Sequence, residues 1–191
     1  MKKKIFIYII LCILCFVAGL KFSNNNKLAL TDYEYVNNTK IIIEDNVNID
    51  IANQYIENFK TMPEFLSNNC STIVITNEDL NKKFNFNFNN KVLAVTIDDT
   101  IYINDEKFKS NVIIHELFHV YDYKNNWISL SEEFSSIYDL EKDIIKVSPG
   151  NNQNKQEFFA TIGTEYFTNQ NDLKQLAPQS NEFLNKLLAT D

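Results

Sequence analysis

The chain has 191 residues, 45% of them apolar and 23% charged, a composition that fits one globular domain and excludes a disordered, collagen-like or disulfide-dense chain. The formal net charge is -7, and all 18 basic side chains are Lys. An acidic chain without Arg lacks the basic surface that nucleic-acid binding uses, so nucleic acid is not expected as a partner.

The first residues read as a targeting segment. Lys2, Lys3 and Lys4 precede an apolar run from Ile5 to Leu20, and Asn24, Asn25 and Asn26 end the pattern. A basic start and a short apolar run predict a signal peptide or an N-terminal membrane anchor over residues 1–23. The run falls a little short of the roughly 20 apolar residues that a full span takes, and no A-x-A site follows it. Cys15 is preceded by Cys12, Ile13 and Leu14, which lack the small residues of a lipid attachment site. The positive start places the N-terminus inside, so the rest is expected to be secreted or at the cell surface, with a possible membrane tether. A cut after Ser23 removes four Lys and no acid, which takes the net charge from -7 to about -11. Only Cys70 then remains, so no internal disulfide forms. Cys70 reads as a small buried apolar residue before a strand.

Residues 24–39 are polar and Asn-rich and read as a linker; residues 40–191 read as the folded domain. Lys40–Glu44 carries Ile41, Ile42 and Ile43 and predicts a strand. Ile51, Tyr55 and Phe59 recur every four residues, so Asp50–Lys60 predicts a helix, with a further turn over Met62–Leu66. Thr72–Thr76 predicts a strand and Asn77–Lys82 a short helix. Phe84, Phe86 and Phe88 alternate with Asn, which predicts an extended segment with one aromatic face. Val92–Ile97 and Thr100–Asn104 predict two strands joined by a turn at Asp98 and Asp99. From Ser110 the period is helical. Ser110 or Asn111 is placed to cap a helix reaching about Tyr123. Leu130–Val147, with Ser131 as cap and Phe134, Ile137, Tyr138 and Ile144 on its apolar side, predicts another. Ser148, Pro149 and Gly150 stop it. Asn154 to about Phe167 and Pro178–Ala189 predict the last two helices, the latter with Phe183 and Leu187 inward. The fold class is therefore α+β, a small mixed sheet followed by a helical C-terminal half.

The chemistry concentrates at His115-Glu116-Leu117-Phe118-His119, and these are the only two His in the chain. Four residues apart on a helix, both imidazoles project from one face about one turn apart and suit one Zn²⁺. Glu116 stands beside the first ligand, where a general base for a metal-activated water belongs. A catalytic zinc takes a third protein ligand and keeps one position open. No third His exists, and Asp122 and Asn125 stand where a longer H-E-x-x-H-x-x-G-x-x-H pattern would carry Gly and His. The third ligand is therefore Glu, Asp or Cys. Glu157, in the first turn of a predicted helix, is the leading candidate, with Glu165 and Glu141 as alternatives.

Together with Glu157-Phe158-Phe159-Ala160, the motif resembles the catalytic domain of anthrax lethal factor and the small secreted Pro-Pro endopeptidases of clostridia and bacilli. Ser131-Glu132-Glu133-Phe134 and Ile137-Tyr138 add to the likeness, which covers roughly residues 40 to 190. The resemblance implies a compact zincin fold and a zinc metalloendopeptidase. It also implies His115, His119 and Glu157 as ligands, Glu116 as base, and an extended peptide as substrate with a Pro-directed preference.

Two positions depart from that family. A Tyr that helps stabilise the oxyanion stands seven residues before the ligand Glu, where this chain has Gly150. Tyr121, Tyr123, Tyr138 and Tyr166 are candidate substitutes. Many members also carry an acid four residues after the ligand Glu, where this chain has Thr161. Asp122 is a candidate to orient a His ligand instead. These departures keep open a second expectation, a zincin-fold surface protein that keeps zinc and binds without cleaving. One strand of the Val92–Asn104 hairpin is expected to be the edge that pairs with a peptide. Phe84, Phe86, Phe88 and Trp127 are apolar candidates for a Pro-accepting surface.

Overall fold

The computed structural model describes residues 32–145 and 154–189. The expected signal or anchor lies outside these residues, as does the stop at Ser148–Gly150. Among the described residues no helix is long and apolar enough to cross a membrane.

A five-stranded mixed sheet forms one layer. Its strands are β1 (Asp32–Val36), β2 (Thr39–Ile43), β3 (Thr72–Thr76), β4 (Ala94–Ile97) and β5 (Thr100–Asn104), in the order β1-β2-β3-β5-β4. β2, β3 and β5 run parallel, and β1 and β4 close the two sides as antiparallel strands. The helices are α1 (Ile49–Lys60), α2 (Glu64–Ser67), α3 (Leu80–Lys83), α4 (Ser110–Lys124), α5 (Glu132–Glu141), α6 (Lys155–Thr168), α7 (Gln170–Leu176) and α8 (Pro178–Leu188). The expected α+β class, a small mixed sheet followed by a helical C-terminal half, is borne out.

β1 corrects the linker reading for residues 32–39; residues 24–31 lie outside the described residues. Asp32–Val36 pairs with β2 along its whole length. Asn37 and Asn38 both take positive φ, 50° and 67°, as a two-residue hairpin turn requires and as Asn tolerates. Tyr33 and Tyr35 alternate with polar residues, the period-2 pattern that the Asn-rich composition hid. At the other side, Asp98 turns β4 into β5 with φ 55°, at the expected Asp pair.

The core fills the space between the inner sheet face and the helices. Ile41, Ile73, Ile75, Ile101 and Ile103 point inward from the strands and meet Phe59 of α1, Leu117 and Phe118 of α4, and Phe158 and Phe159 of α6. α1 buries Ala52, Tyr55, Ile56 and Phe59 along one stripe, and Asn48 caps it by accepting from the N–H of Asp50 and Ile51. α4 is buried nearly all round, as a central helix is. Its start departs from expectation. Ser110 is already helical, and Lys109 at the cap makes no side-chain bond. Instead the buried Tyr55 hydroxyl donates to Lys107 O at 2.8 Å and accepts from Lys109 N at 3.3 Å. A tertiary contact replaces the local cap.

Three further differences share one cause, a local pattern overridden by geometry. The helix expected over Leu130–Val147 is shorter: a 3-10 turn covers Ile128–Leu130, Ser131 caps α5, and α5 ends at Glu141. Ile144, beyond that end, is 46% exposed. The segment 170–176, not expected as a helix, forms α7. Phe84, Phe86 and Phe88 stack in a row through ring contacts of 5.8 and 5.4 Å, but Asn85 at φ 56° breaks the extended backbone. Phe84 meets Tyr102 at 4.8 Å. Tyr102 alternates with the inward Ile101 and Ile103, so this row covers the outer sheet face, away from α4.

Glu141 performs a structural task that removes it as a ligand candidate. It is 3% exposed and accepts from Gln179 N, Ser180 N and Ser180 Oγ, at 2.9, 2.9 and 2.6 Å. Ala177, at the N-cap of α8, has no side chain for this, so a carboxylate from α5 caps the helix in its place. Glu141→Ala is predicted to destabilise the fold by about 2–4 kcal/mol, because three donors lose a charged acceptor. Denaturant unfolding checks this; a loss below about 0.5 kcal/mol would contradict the capping role.

Candidate metal centre

His115 and His119 sit on one face of α4, their rings 4.9 Å apart and nearly perpendicular. Glu157 enters from the first turn of α6, where Asn154 caps the helix by accepting from the Glu157 N–H at 2.8 Å. The positive end of α6 favours a carboxylate there. α4 packs most extensively against α6, and Gly163 permits the approach. A Cβ at this position would lie 2.5 Å from the Phe118 ring. A mid-helix Gly costs about 1 kcal/mol relative to Ala, which the close helix contact offsets.

The three side chains converge. His115 Nε2 is 3.4 Å from Glu157 Oε2, and His119 Nε2 is 3.5 Å from Glu157 Oε1. One ligand atom from each lies within 4.8 Å of the others. Direct charge-assisted hydrogen bonds are shorter, about 2.7–2.9 Å. Ligands bonded to zinc at about 2.0–2.1 Å with tetrahedral angles stand roughly 3.3–3.4 Å apart. The two His–Glu157 spacings, each to a different carboxylate oxygen, leave an ion able to sit among the three groups, and two imidazoles with one carboxylate suit zinc. Among the described residues this is the one His/Cys/Asp/Glu group that could hold a metal. The alternative Glu165 lies elsewhere, accepting from Asn169 at 2.9 Å.

Electrostatics in the metal-free chain agree with this picture. Burial pushes the Glu157 carboxyl up, but the two imidazoles of His115 and His119 beside it outweigh that and hold the group well below the carboxylate range. Burial opposes charge on His119 too. Glu157, Glu116 and Asp122 overcome that and raise its pKa above the usual imidazole value. A proton on His119 competes with a metal ion. Apparent zinc affinity is predicted to fall about tenfold per pH unit below the His119 pKa, and the raised pKa starts that loss above pH ~6.5. Competition with a chelator between about pH 5.5 and 8 measures it. A flat profile would remove His119 from the ligand set.

Glu116 faces β4. It is 7% exposed, and its Oε2 accepts from Thr96 Oγ1 at 2.8 Å. Sequence reasoning missed Thr96, because its only signal is its inward position on a strand that packs against α4. Asp122 does not take the expected orienting role. Its oxygens accept from Ser129 N at 2.8 Å and Ser129 Oγ at 2.5 Å, pinning the turn that follows α4. Burial raises its carboxyl against those bonds.

Position 150 lies outside the described residues. Of the Tyr candidates, Tyr121 packs its ring on Phe65 and Phe118, and Tyr138 packs on Phe158. Tyr166 donates to Asn185 Oδ1 at 2.7 Å. Tyr123 stacks on Trp127 at 5.6 Å. Trp127, at φ 59°, borders an open groove with Leu130, Phe183 and Leu187. Thr161 is buried. Cys70 is buried as expected, and burial pushes its thiol up to about 12, so it is no nucleophile.

Residues 27–187 match the family described as anthrax toxin lethal factor, N- and C-terminal domain. The chain belongs to that family. A solved structure of the Pro-Pro endopeptidase PPEP-2 from Paenibacillus alvei shares the fold, with a TM-score of 0.62 at 18% identity, over 77% of this chain and 96% of that one. No curated protein matches the sequence. The His pair, the neighbouring Glu and the later Glu of this chain stand on the fold it shares with that structure.

Proposed function

We propose that this lethal factor family member is an exported zinc metalloendopeptidase, with His115, His119 and Glu157 as ligands and Glu116 as general base. The observation that carries the reading is the three-donor cluster at ligand spacing with a buried carboxylate one residue from the first ligand. Held by His115, His119 and Glu157, zinc would supply Lewis acidity and make the attacking water acidic enough to react near neutral pH. Glu116 accepts a proton from the attacking water at Oε1, its oxygen away from Thr96, and delivers it to the departing amine as the C–N bond breaks. An extended peptide adds to the open edge of β4, which packs against α4. A Pro-directed preference is carried over from the Pro-Pro endopeptidases that the sequence resembles. Export follows from the basic and apolar pattern of residues 1–23.

The test is a diverse peptide library incubated with the zinc-loaded chain, with the cut sites read by mass spectrometry, before and after chelation and zinc re-addition. Cuts that vanish and return with zinc support the peptidase, and their flanking residues report any Pro requirement. Gly150 and Thr161 favour a second reading, a zinc-holding protein that binds partners without cleaving. Stoichiometric zinc with no cut site would select it, since loss of an oxyanion donor can cost a hundredfold or more.

A further inference from the structure

The Thr96 hydroxyl has one proton and two oxygens of Glu116 within reach, the carboxylate Oε2 at 2.8 Å and the backbone O at 3.1 Å. The shorter, charged acceptor takes the proton. Glu116 is 7% exposed, so bulk water does little to hold its carboxylate, and Thr96 is its hydrogen-bond donor among the described residues. A Glu side chain on a helix has three rotatable bonds, and a base that swings away from the ligand pair loses its proton path. Thr96 reaches it from β4. Ala94 and Thr96 pair with the inward Ile103 and Ile101, so they face the helices while Val95 faces outward. β4 is also the edge of the sheet, with one side free of a neighbouring strand.

We propose that Thr96 is a positioning residue for Glu116, an inference that rests on the peptidase reading and deepens it. The hydroxyl holds Oε2 and leaves Oε1 for the reacting proton. The same short strand that offers its edge to a peptide thereby orients the base, so substrate and base are set by one element.

The test compares Thr96→Val and Thr96→Ser in the zinc-loaded full chain on one peptide chosen from the library cuts. Val keeps the shape and the strand preference and removes the donor. A general base contributes about 10²–10⁴-fold as a whole, and misorientation forfeits part of it. Thr96→Val is expected to lower kcat about 10- to 100-fold with KM within about twofold, and Thr96→Ser to restore kcat to within about threefold. Zinc content and unfolding midpoint are measured on each variant. In the metal-free chain, the midpoint loss caused by Thr96→Val is expected to shrink in a Glu116→Ala background, where the carboxylate is gone and only the backbone O at 3.1 Å remains to accept. Wild-type kcat in Thr96→Val overturns the inference alone, as do equal losses in Val and Ser or equal midpoint losses in both backgrounds. A wild type that cuts nothing overturns the peptidase reading, and this inference with it.

Discussion

Glu116→Gln is expected to lower kcat by about 10²–10⁴-fold while zinc content and the unfolding midpoint stay unchanged. The variant is nearly isosteric, and the amide oxygen still accepts from Thr96, which holds the carboxylate at 2.8 Å. What is lost is the ability to take and return a proton. At about 1.4 kcal/mol per tenfold change, the expected loss is roughly 3–5.5 kcal/mol of transition-state stabilisation. Because Glu116 is buried and the adjacent His115 keeps its place on α4, metal binding is separable from the proton transfer. Single-turnover cleavage measured beside zinc content provides the check. A Gln variant that cuts within about threefold of wild type would sink the assignment of Glu116 as base.

Glu157→Ala is expected to weaken zinc binding by more than the roughly 10- to 100-fold that loss of a supporting partner behind a ligand costs. Glu157 contributes the one carboxylate of the cluster, with its two oxygens at 3.4 and 3.5 Å from the two imidazoles. Removing it leaves two neutral nitrogen donors, and the negative charge that balances the ion is gone. A ligand that binds only the folded chain stabilises it by about 4.1 kcal/mol at a thousand times its Kd. Added zinc is therefore expected to raise the unfolding midpoint of the wild type and to leave that of Glu157→Ala almost unmoved. Titration against a chelator gives the affinity directly. Unchanged stoichiometry and affinity in the Ala variant would show that the third ligand lies elsewhere.

Much of the candidate site could be read before any coordinates, for a physical reason. A helix repeats every 3.6 residues, so His115 and His119 share a face wherever the helix is placed. With no third His, the remaining donor had to come from another element. Spacing alone left Glu157, Glu165 and Glu141 open, and the resemblance to lethal factor catalytic domains favoured the first. The packing of α6 against α4 then brings Glu157 to the His pair, while Glu141 caps α8 and Glu165 bonds Asn169. Which acid a residue meets across forty positions depends on helix crossing, and Gly163 against Phe118 is part of what sets that crossing.

The sequence by itself determined the α+β class, the strands rich in Ile, the hairpin turn at Asp98, the Ser131 cap and the His115–Glu116–His119 face, because each follows from a local period or a local hydrogen bond. Only the tertiary structure decided that Asp32–Val36 is a strand, that Tyr55 takes the place of a cap for α4, that Asp122 serves Ser129, and that Thr96 holds Glu116. Apart from the Asp122–Ser129 contact, which spans seven residues and forms only once the turn after α4 folds back, each joins groups far apart in the chain or depends on a partner strand. A local pattern carries no information about which distant donor fills a buried acceptor, since that is settled by the packing of whole elements.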